Sequence, residues 1–453
     1  MSRKTFALIA GTIAFFSLTT FALSEVEKKK GFDLYSQVEL FSYVLTTVRS
    51  EYVEEKTPKD LIYGALDGML ASLDPHSQFL KPEDYIELKT ETQGKFGGIG
   101  IEITTRDGLL TIITPIEDTP AWKAGLKPGD KIVKINNELT RDVTLSQAVK
   151  KLRGNPGTKV TLTVLREDEM KIHEFTMIRE IIHIQDVKDV HIIEDHIGYI
   201  RLTEFREDSF KEFEKALQEL KSKGADSLVL DLRNNPGGLL SVAINVAEIF
   251  LPEGQMIVST KGRQEAQNLF NKSTNKNTDY LSWPIVVLIN EGSASGSEIV
   301  AGALKDDKRA VIVGEKSFGK GSVQSVIPLP DGSGLRLTTA KYYTPSGICI
   351  HGIGIIPDIV VERKDPPEEK KADEKEKNIE KVFEEIETNK ESEIKPENTL
   401  SEKDVKLLKH DKEDNQLQSA VNVIKGIKTY KNFSLTQGVL DVSPREPIQP
   451  ETK

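Results

Sequence analysis

Residues 285–304 read IVVLINEGSASGSEIVAGAL and carry the clearest fold signal in the chain. Five apolar β-formers come first, which predicts a fully buried strand. A loop rich in Gly and Ser follows, and the spacing of Ser295 and Glu298 is that of a capping box that opens a helix. A buried strand that leads through a short loop into a helix is typical of an α/β sheet.

The same pattern recurs on both sides of this stretch. Apolar strands alternate with amphipathic helices from about residue 190 to 360, which predicts a sheet covered by helices. Further strands are predicted at Ile197–Leu202, Ser227–Leu232 and Ala310–Val313, and helices near Phe210–Lys221, Leu239–Phe250 and Ser297–Leu304. We therefore predict an α/β core over residues 181–361, with its chemistry in the loops at the carboxyl ends of the strands.

Two further modules are predicted before this core. Residues 34–91 repeat apolar side chains at three- and four-residue steps, and Pro58 suits the first turn of a helix, so a helical domain is expected. Its surplus of apolar faces indicates packing on another domain or on a second copy, as in a homodimer. Residues 92–180 hold short β-like runs separated by turns, which predicts a small, mostly β module.

The two ends of the chain differ from these modules. Residues 1–24 begin with Arg3 and Lys4, continue as an apolar run and then turn polar, as in a signal peptide or an uncleaved membrane anchor. Export is expected, either to the periplasm or to the periplasmic side of the inner membrane. Residues 362–453 are rich in Glu and Lys and predict a charged linker and tail, with one short helix near Leu417–Ile427.

Composition excludes several classes of function. The 453 residues carry a net charge of −10 and no basic stretch interleaved with aromatic residues, so nucleic acid is not an expected partner. Cys349 is the single cysteine, and no intramolecular disulfide can form. Paired-Cys and H-x-x-x-H spacings are absent from the sequence, so no metal site is predicted.

Three loops that follow apolar runs are candidates for the chemistry. They read DLRNNPGG at 231–238, EGSASGSE at 291–298 and GEKSFGKG at 314–321. The last resembles a phosphate-binding P-loop, but Gly321 stands where a hydroxyl must meet magnesium, and a strand rather than a helix follows. Nucleotide binding is therefore disfavoured, and no cofactor is expected.

A histidine-based triad is also disfavoured. None of the seven histidines lies beside the serine-rich loop, and the G-x-S-x-G nucleophile elbow is absent. A serine–lysine pair remains, because Lys320 has apolar neighbours in the chain, and burial lowers the pKa of an amine so that it can act as a base. Spacing alone favours Ser295 as a helix cap rather than a nucleophile. The two roles are compatible, because a helix N-terminus with the Gly296 amide beside it also favours an oxyanion.

These loops resemble those of the carboxyl-terminal processing proteases, a serine peptidase family, over roughly residues 34–365. In that family the central serine of S-A-S-x-S-E is the nucleophile, the lysine of F-G-K-G is the base, and a glutamine four residues on orients the lysine. By this resemblance the three roles fall on Ser295, Lys320 and Gln324.

The resemblance also implies an oxyanion hole. Its donors would be the glycine pair Gly237 and Gly238 together with the amide of Gly296, where the family usually has alanine. Asp306 matches a position that the family tends to keep near the site. It could equally be a surface acid that ends a helix.

The β module resembles a PDZ domain. Residues 96–102 read FGGIGIE, similar to the loop that binds a peptide's C-terminal carboxylate, and residues 120–130 read PAWKAGLKPGD, a run characteristic of PDZ domains in proteases. Successive amides can hold the carboxylate while the next strand pairs with the peptide. The predicted binding residues are Phe96, Gly97, Gly98, Ile99, Gly100 and Ile101.

Together these features predict a serine endopeptidase that cleaves exported proteins near their C-termini. Its PDZ domain would recognise proteins or peptides with free C-termini. The alternative is a non-catalytic PDZ scaffold in the cell envelope that collects peptides and needs neither Ser295 nor Lys320.

Overall fold

The computed structural model describes residues 34–106, 108–141, 143–166, 169, 171–364 and 413–436. The predicted signal or anchor at 1–24 and most of the tail at 362–453 lie outside these ranges. The chain forms two compact units, the first of residues up to Pro82 with Val326–Leu337, the second of Glu83–Ser325 and residues from Thr338 onward. Within the described ranges, no helix combines the length and the apolarity that a bilayer crossing requires.

The first unit is mostly helical. Residues 34–51 form α1, and Pro58–Ala71 form α2, whose N-cap Thr57 accepts a hydrogen bond from the Asp60 N–H. A strand, β1 (Gln78–Leu80), pairs antiparallel with residues 334–336. The sequence predicted helices alone in this region. It missed β1 because three residues are too few to display a strand period.

The second unit begins with α3 (Pro82–Gln93) and a β module. Its strands and helices are β2 (Lys95–Gly98), β3 (Ile101–Arg106), β4 (Leu109–Pro115), α4 (Pro120–Ala124), β5 (Lys131–Ile135), β6 (Glu138–Leu139), α5 (Leu145–Leu152), β7 (Lys159–Arg166), β8 (Lys171–Ile178) and β9 (Glu180–His183). The main sheet has the order β3-β4-β5-β7-β8, so β3 is an edge strand, while β2 pairs with β9 in a separate ribbon.

The α/β part follows. It contains β10 (Val187–Ile192), β11 (Ile197–Leu202), α6 (Ser209–Ser222), β12 (Ser227–Asp231), α7 (Leu240–Glu248), β13 (Met256–Gly262), β14 (Phe270–Lys272), β15 (Ile285–Ile289), α8 (Gly296–Asp306), β16 (Val311–Gly314), β17 (Ser322–Pro328), β18 (Gly334–Tyr343), β19 (Ile359–Val360) and α9 (Asn415–Thr436). This part belongs to the second unit except for the parts of β17 and β18 that fall within Val326–Leu337. The main sheet has the order β10-β11-β12-β15-β16-β19, parallel except for β10. The predicted multidomain α/β fold class is confirmed.

The main sheet is buried on both faces. Alternate residues such as Leu228 and Leu230 pack into a cluster with α6, α7 and α8, while Val229 between them packs with α9. Each of these three side chains is fully buried. Burial on both faces explains why the strands read as continuous apolar runs.

Asp307 follows the last residue of α8, in surroundings that disfavour its charged form. Burial, and then the neighbouring Asp306, raise the pKa of Asp307 to about 6. Among the described residues, the buried Oδ2 of Asp307 has no hydrogen-bond partner. A carboxylate at a helix C-terminus is further disfavoured by the helix dipole.

We predict that Asp307→Asn raises the melting temperature at pH 8 but not at pH 4. The native pKa lies above the unfolded value, so the stability associated with the neutral carboxyl is present at low pH and is lost as pH rises through about 6. Thermal melts of both proteins at the two pH values test this. Glu253→Gln, at an exposed acid, should change neither melt, and an equal gain at pH 4 and pH 8 would contradict the prediction.

Candidate active site

The three candidate loops leave the carboxyl ends of β12, β15 and β16. These strands are parallel and lie next to one another in the sheet. Loops that are far apart in sequence therefore lie side by side at one edge, as the strand pattern predicted.

Buried hydrogen bonds join the first loop to the second. The Ser293 hydroxyl donates to the Leu232 carbonyl at 2.8 Å. The Asn235 carbonyl accepts from the Ala294 N–H at 3.0 Å and from the Ser297 hydroxyl at 2.9 Å. Both serines and Asn235 are fully buried. The two loops are thereby fixed in one arrangement, because a broken bond would leave a buried polar group unpaired.

Ser295 sits immediately before α8 and is half-buried. Its φ of 51° and ψ of −107° are strained for a residue with a side chain. Gly237 of the first loop lies directly against it, since a Cβ built on Gly237 would be 2.7 Å from the Ser295 Cβ. Only glycine permits this close approach.

Glu298 connects the third loop to the serine. Its carboxylate is fully buried and accepts four hydrogen bonds. Oε1 accepts from the Ser317 hydroxyl at 2.5 Å and from the Gly319 N–H at 2.7 Å. Oε2 accepts from the N–H of Ser295 at 2.8 Å and from that of Lys320 at 2.9 Å. One oxygen atom therefore holds the backbones of both predicted catalytic residues.

The environment of Lys320 differs from the one that its sequence neighbours indicate. The chain places no acid within three residues of Lys320 on its C-terminal side, but the fold brings Glu298 against its backbone. Burial raises the pKa of Glu298, while its hydrogen bonds with Ser317 and with three backbone N–H groups act in the opposite direction. Lys320 itself is half-buried.

Gln324 lies in β17 and is half-buried. Its Nε2 donates to the Thr338 hydroxyl at 2.7 Å and to the Ser322 hydroxyl at 3.3 Å. Its Oε1 is buried and has no hydrogen-bond partner among the described residues. Gln324 therefore presents one open acceptor in β17, four residues after Lys320 in the chain.

The predicted oxyanion glycines have different surroundings. The Gly237 N–H already donates to the Asn235 Oδ1 at 2.9 Å, so this amide is engaged within its own loop. Gly238 is exposed, and a Cβ there would lie 2.3 Å from the Phe205 carbonyl oxygen. A Cβ on Gly296 would lie 3.0 Å from the fully buried Phe205 ring, a tight contact that would require the ring to shift slightly.

Asp306 is remote from the serine. It is the last residue of α8, whereas Ser295 precedes the first. Eleven residues of α-helix separate the two ends by roughly 15 Å. The Asp306 carboxylate accepts from the Ser346 N–H at 2.9 Å, which anchors the end of the helix.

The residues predicted to bind a peptide's carboxylate are divided between two strands and the turn that joins them. Phe96, Gly97 and Gly98 lie in β2, where they pair with β9, and the Gly97 carbonyl also accepts from the Gly154 N–H at 3.0 Å. The turn itself falls at Ile99 and Gly100, just before the edge strand β3. Gly100 has a φ of +77°, and a Cβ there would be 2.4 Å from Thr119, so glycine is required.

Sequence reasoning missed several residues that build this site. Glu298 was recognised as a helix cap but not as the acceptor for the lysine loop, because the Ser317 and Lys320 contacts join distant parts of the chain. The capping-box spacing was the signal that could have singled it out. Asn235 and Phe205, whose N–H donates to the Gly237 carbonyl at 2.9 Å, gave no comparable signal. In the described part of the chain, no group of three or more His, Cys, Asp or Glu side chains could hold a metal ion.

Comparisons with known proteins agree with this architecture. The family model of Peptidase family S41 matches residues 196–361, and that of the PDZ domain matches residues 111–166. A carboxy-terminal-processing protease from Bartonella bacilliformis is 46% identical over 371 residues, covering 81% of this chain and 84% of that protein. A carboxyl-terminal-processing protease from Synechocystis is 40% identical over 377 residues, covering 79% of this chain and 86% of that protein.

Among solved structures, the photosystem II D1 C-terminal processing protease is 32% identical. The match covers 70% of this chain and 86% of that chain, with a TM-score of 0.43. The two bacterial relatives, 46% and 40% identical over 81% and 79% of this chain, establish its family. The chain is therefore a serine peptidase of family S41 and belongs to the carboxy-terminal processing proteases that carry a PDZ domain.

Proposed function

We propose that the protein hydrolyses peptide bonds through an acyl-enzyme on Ser295, with Lys320 as general base. The observation that carries this proposal is the Glu298 carboxylate, whose Oε2 accepts from the backbone N–H of both residues. The two backbone nitrogens therefore lie no farther apart than the sum of the 2.8 Å and 2.9 Å distances. Positioning of this kind is a large part of nucleophilic catalysis.

The reaction follows from these roles. The neutral amine of Lys320 takes the Ser295 hydroxyl proton as the oxygen attacks the substrate carbonyl carbon. The protonated amine then gives that proton to the leaving peptide nitrogen, which leaves an acyl-enzyme. Water, deprotonated by the same amine, hydrolyses the ester and restores the serine.

Two backbone amides are suited to bind the oxyanion. We assign this role to Gly238 and Gly296 rather than to Gly237, because the Gly237 N–H already donates to Asn235. Gly296 is at the N-terminus of α8, where the helix dipole favours negative charge. The open Oε1 of Gln324 suits an acceptor that orients the Lys320 amine.

Substrate recognition is assigned to the PDZ domain. The glycine turn at residues 98–101 would bind the peptide's C-terminal carboxylate through backbone amides, and β3 would pair with the peptide. Support comes from the position of β3 at the edge of its sheet, which leaves one side open to a further strand. Phe96 and Gly97 would then shape the approach without contacting the carboxylate.

The proposed localisation rests on the N-terminal sequence, and the proposed assembly rests on exposed apolar side chains in the first unit. The order of charged, apolar and polar segments in residues 1–24 supports export to the periplasm, with cleavage or retention as an anchor. In the first unit, Leu34, Tyr43 and Val53 are 67%, 68% and 90% exposed. Large apolar side chains exposed together favour a homodimer through this helical region. The scaffold alternative is disfavoured by membership of a peptidase family.

Ser295→Ala and Lys320→Ala should each abolish cleavage, by at least about 10³-fold, because each removes a member of a unit that acts together. Rates on a C-terminally extended protein substrate, with melting curves to show that the fold is intact, provide the measurement. Ser222→Ala, at an exposed helix end, should cleave like the wild type. Wild-type cleavage by Ser295→Ala would refute the mechanism.

Glu298→Gln should lower kcat by about 10²-fold, because the amide presents N–H groups to neighbours that are themselves donors and so displaces the catalytic backbones. Steady-state kinetics on the same substrate measure this. Glu315→Gln, at the start of the lysine loop, is the matched control, because its carboxylate accepts from the Arg363 N–H at 3.4 Å and takes no part in the four hydrogen bonds of Glu298. Equal kcat values for the two variants would contradict the role given to Glu298.

A substrate peptide whose C-terminus is amidated should show a KM about tenfold higher than the free acid, equivalent to about 1.4 kcal/mol. The amide lacks the negative charge that the turn at residues 98–101 would bind. Paired kinetics on the two peptides test this, with N-terminal acetylation as a control that should have no effect. Identical KM values would exclude recognition of the carboxylate.

A further inference from the structure

The C-terminal helix α9 belongs to the protease sheet although it lies outside the segment matched by the peptidase family. The family match ends at residue 361, and α9 begins at Asn415. Leu417, Ala420, Val421 and Ile424 of this helix are at most 1% exposed. They pack on Val229, Val286, Leu288 and other residues of the main sheet, so α9 covers the face that α6, α7 and α8 leave open.

The start of α9 is bound to the first candidate loop. The Asp414 Oδ1 accepts from the N–H groups of Gln416 and Leu417, both at 3.0 Å, as a helix cap does. The same carboxylate accepts from the Arg233 guanidinium, with Oδ1 3.0 Å from Nη1 and Oδ2 2.7 Å from Nη2. The Gln416 Oε1 accepts from Nη1 at 3.0 Å as well.

The other side of Arg233 is held by Asp231 at the end of β12. Nε lies 3.0 Å from both carboxylate oxygens, and Nη2 lies 2.6 Å from Oδ2. The Tyr199 hydroxyl donates to the same Oδ2 at 2.7 Å. The side chains of Arg233, Asp231 and Asp414 are 12%, 2% and 13% exposed. Charge-assisted hydrogen bonds are strong and directional in such a buried setting.

Arg233 is therefore fixed between the sheet and α9, and the loop leaves the sheet at this residue. Gly237, which lies against Ser295, and Gly238, the assigned oxyanion donor, follow four and five residues later. Asn234 continues the fixed segment, because its N–H donates to the Asn290 Oδ1 at 2.8 Å. A shift of Arg233 would move the beginning of the segment that carries the Gly238 amide.

We propose that Arg233 is a positioning residue for the oxyanion loop and that Asp414 of α9 completes its setting. The C-terminal helix is then a required part of the active peptidase rather than the end of a tail. This inference rests on the proposed function, because it assumes that the Gly238 amide binds the oxyanion.

The middle of α9 offers a matched control. Lys425 contacts Glu194 at 2.8 Å and Asp195 at 3.3 Å, and these residues lie in the turn between β10 and β11. This contact also holds the helix on the sheet, but it does not touch the loop at residues 232–238. A loss of helix docking and a loss of loop position can therefore be told apart.

Kinetics of full-length Asp414→Asn, Asp414→Glu and Lys425→Gln on one peptide substrate test the proposal. Asparagine still caps α9 but loses the charge that binds Arg233, whereas glutamate retains the charge. Deletion of a whole oxyanion donor lowers kcat by about 10²–10³-fold. A donor that is only displaced should have a smaller effect, so we expect Asp414→Asn to lower kcat about tenfold. KM should not change, since the oxyanion exists only in the transition state. Asp414→Glu should recover most of the kcat, and Lys425→Gln should match the wild type.

The proposal is overturned if Asp414→Asn keeps the wild-type kcat, or if Lys425→Gln lowers kcat as much. Melting curves show whether each variant is folded. If Asp414→Asn does not fold, Gln416→Ala leaves the cap but removes one contact to Arg233 and the bond to the Val361 carbonyl. It should lower kcat about threefold, a smaller effect than that of a lost donor. A wild-type kcat in a folded Gln416→Ala would then overturn the proposal. The proposed function is tested separately, by cleavage that the wild type performs and Ser295→Ala does not. It can therefore stand even if this inference fails.

Discussion

One buried carboxylate organises the site. Glu298 accepts hydrogen bonds from Ser295, Ser317, Gly319 and Lys320, so α8 and the lysine loop share a single acceptor group. Each buried donor left without its acceptor would cost about 1–3 kcal/mol, which makes the arrangement strongly preferred over any alternative. The strained backbone of Ser295 persists because these contacts determine it from several sides.

The parallel sheet supplies the frame on which that carboxylate acts. Because β12, β15 and β16 are neighbours, their following loops meet at one edge, and small residues let them approach closely. Gly237 touches Ser295 where any side chain would collide with it. Burial of the sheet by α6, α7 and α8 on one face and by α9 on the other keeps the strands, and hence the loops, in register. The proposed chemistry thus depends on packing that lies well away from the serine.

In the proposed function, the two domains of the second unit have different roles. The α/β part holds the groups for acyl transfer, and the PDZ domain presents an edge strand preceded by a glycine turn. Of the residues predicted to bind the peptide, Phe96, Gly97 and Gly98 pair with β9. The ribbon formed by β2 and β9 carries the chain into the PDZ domain and out of it. The turn between β2 and β3 is thereby confined to Ile99 and Gly100.

Local patterns in the sequence determined the fold class and most strand and helix positions, while the candidate nucleophile and base were named by the family resemblance. Those signals are local, because apolar period, turn residues and capping spacing act over a few neighbouring residues, and β11 and β15 accordingly have their predicted bounds. Only the tertiary structure decided which groups meet. The Glu298 carboxylate reaches Lys320 across 22 residues, and Arg233 reaches Asp414 across 181. Contacts over such separations depend on how the sheet stacks its strands, which no local pattern encodes.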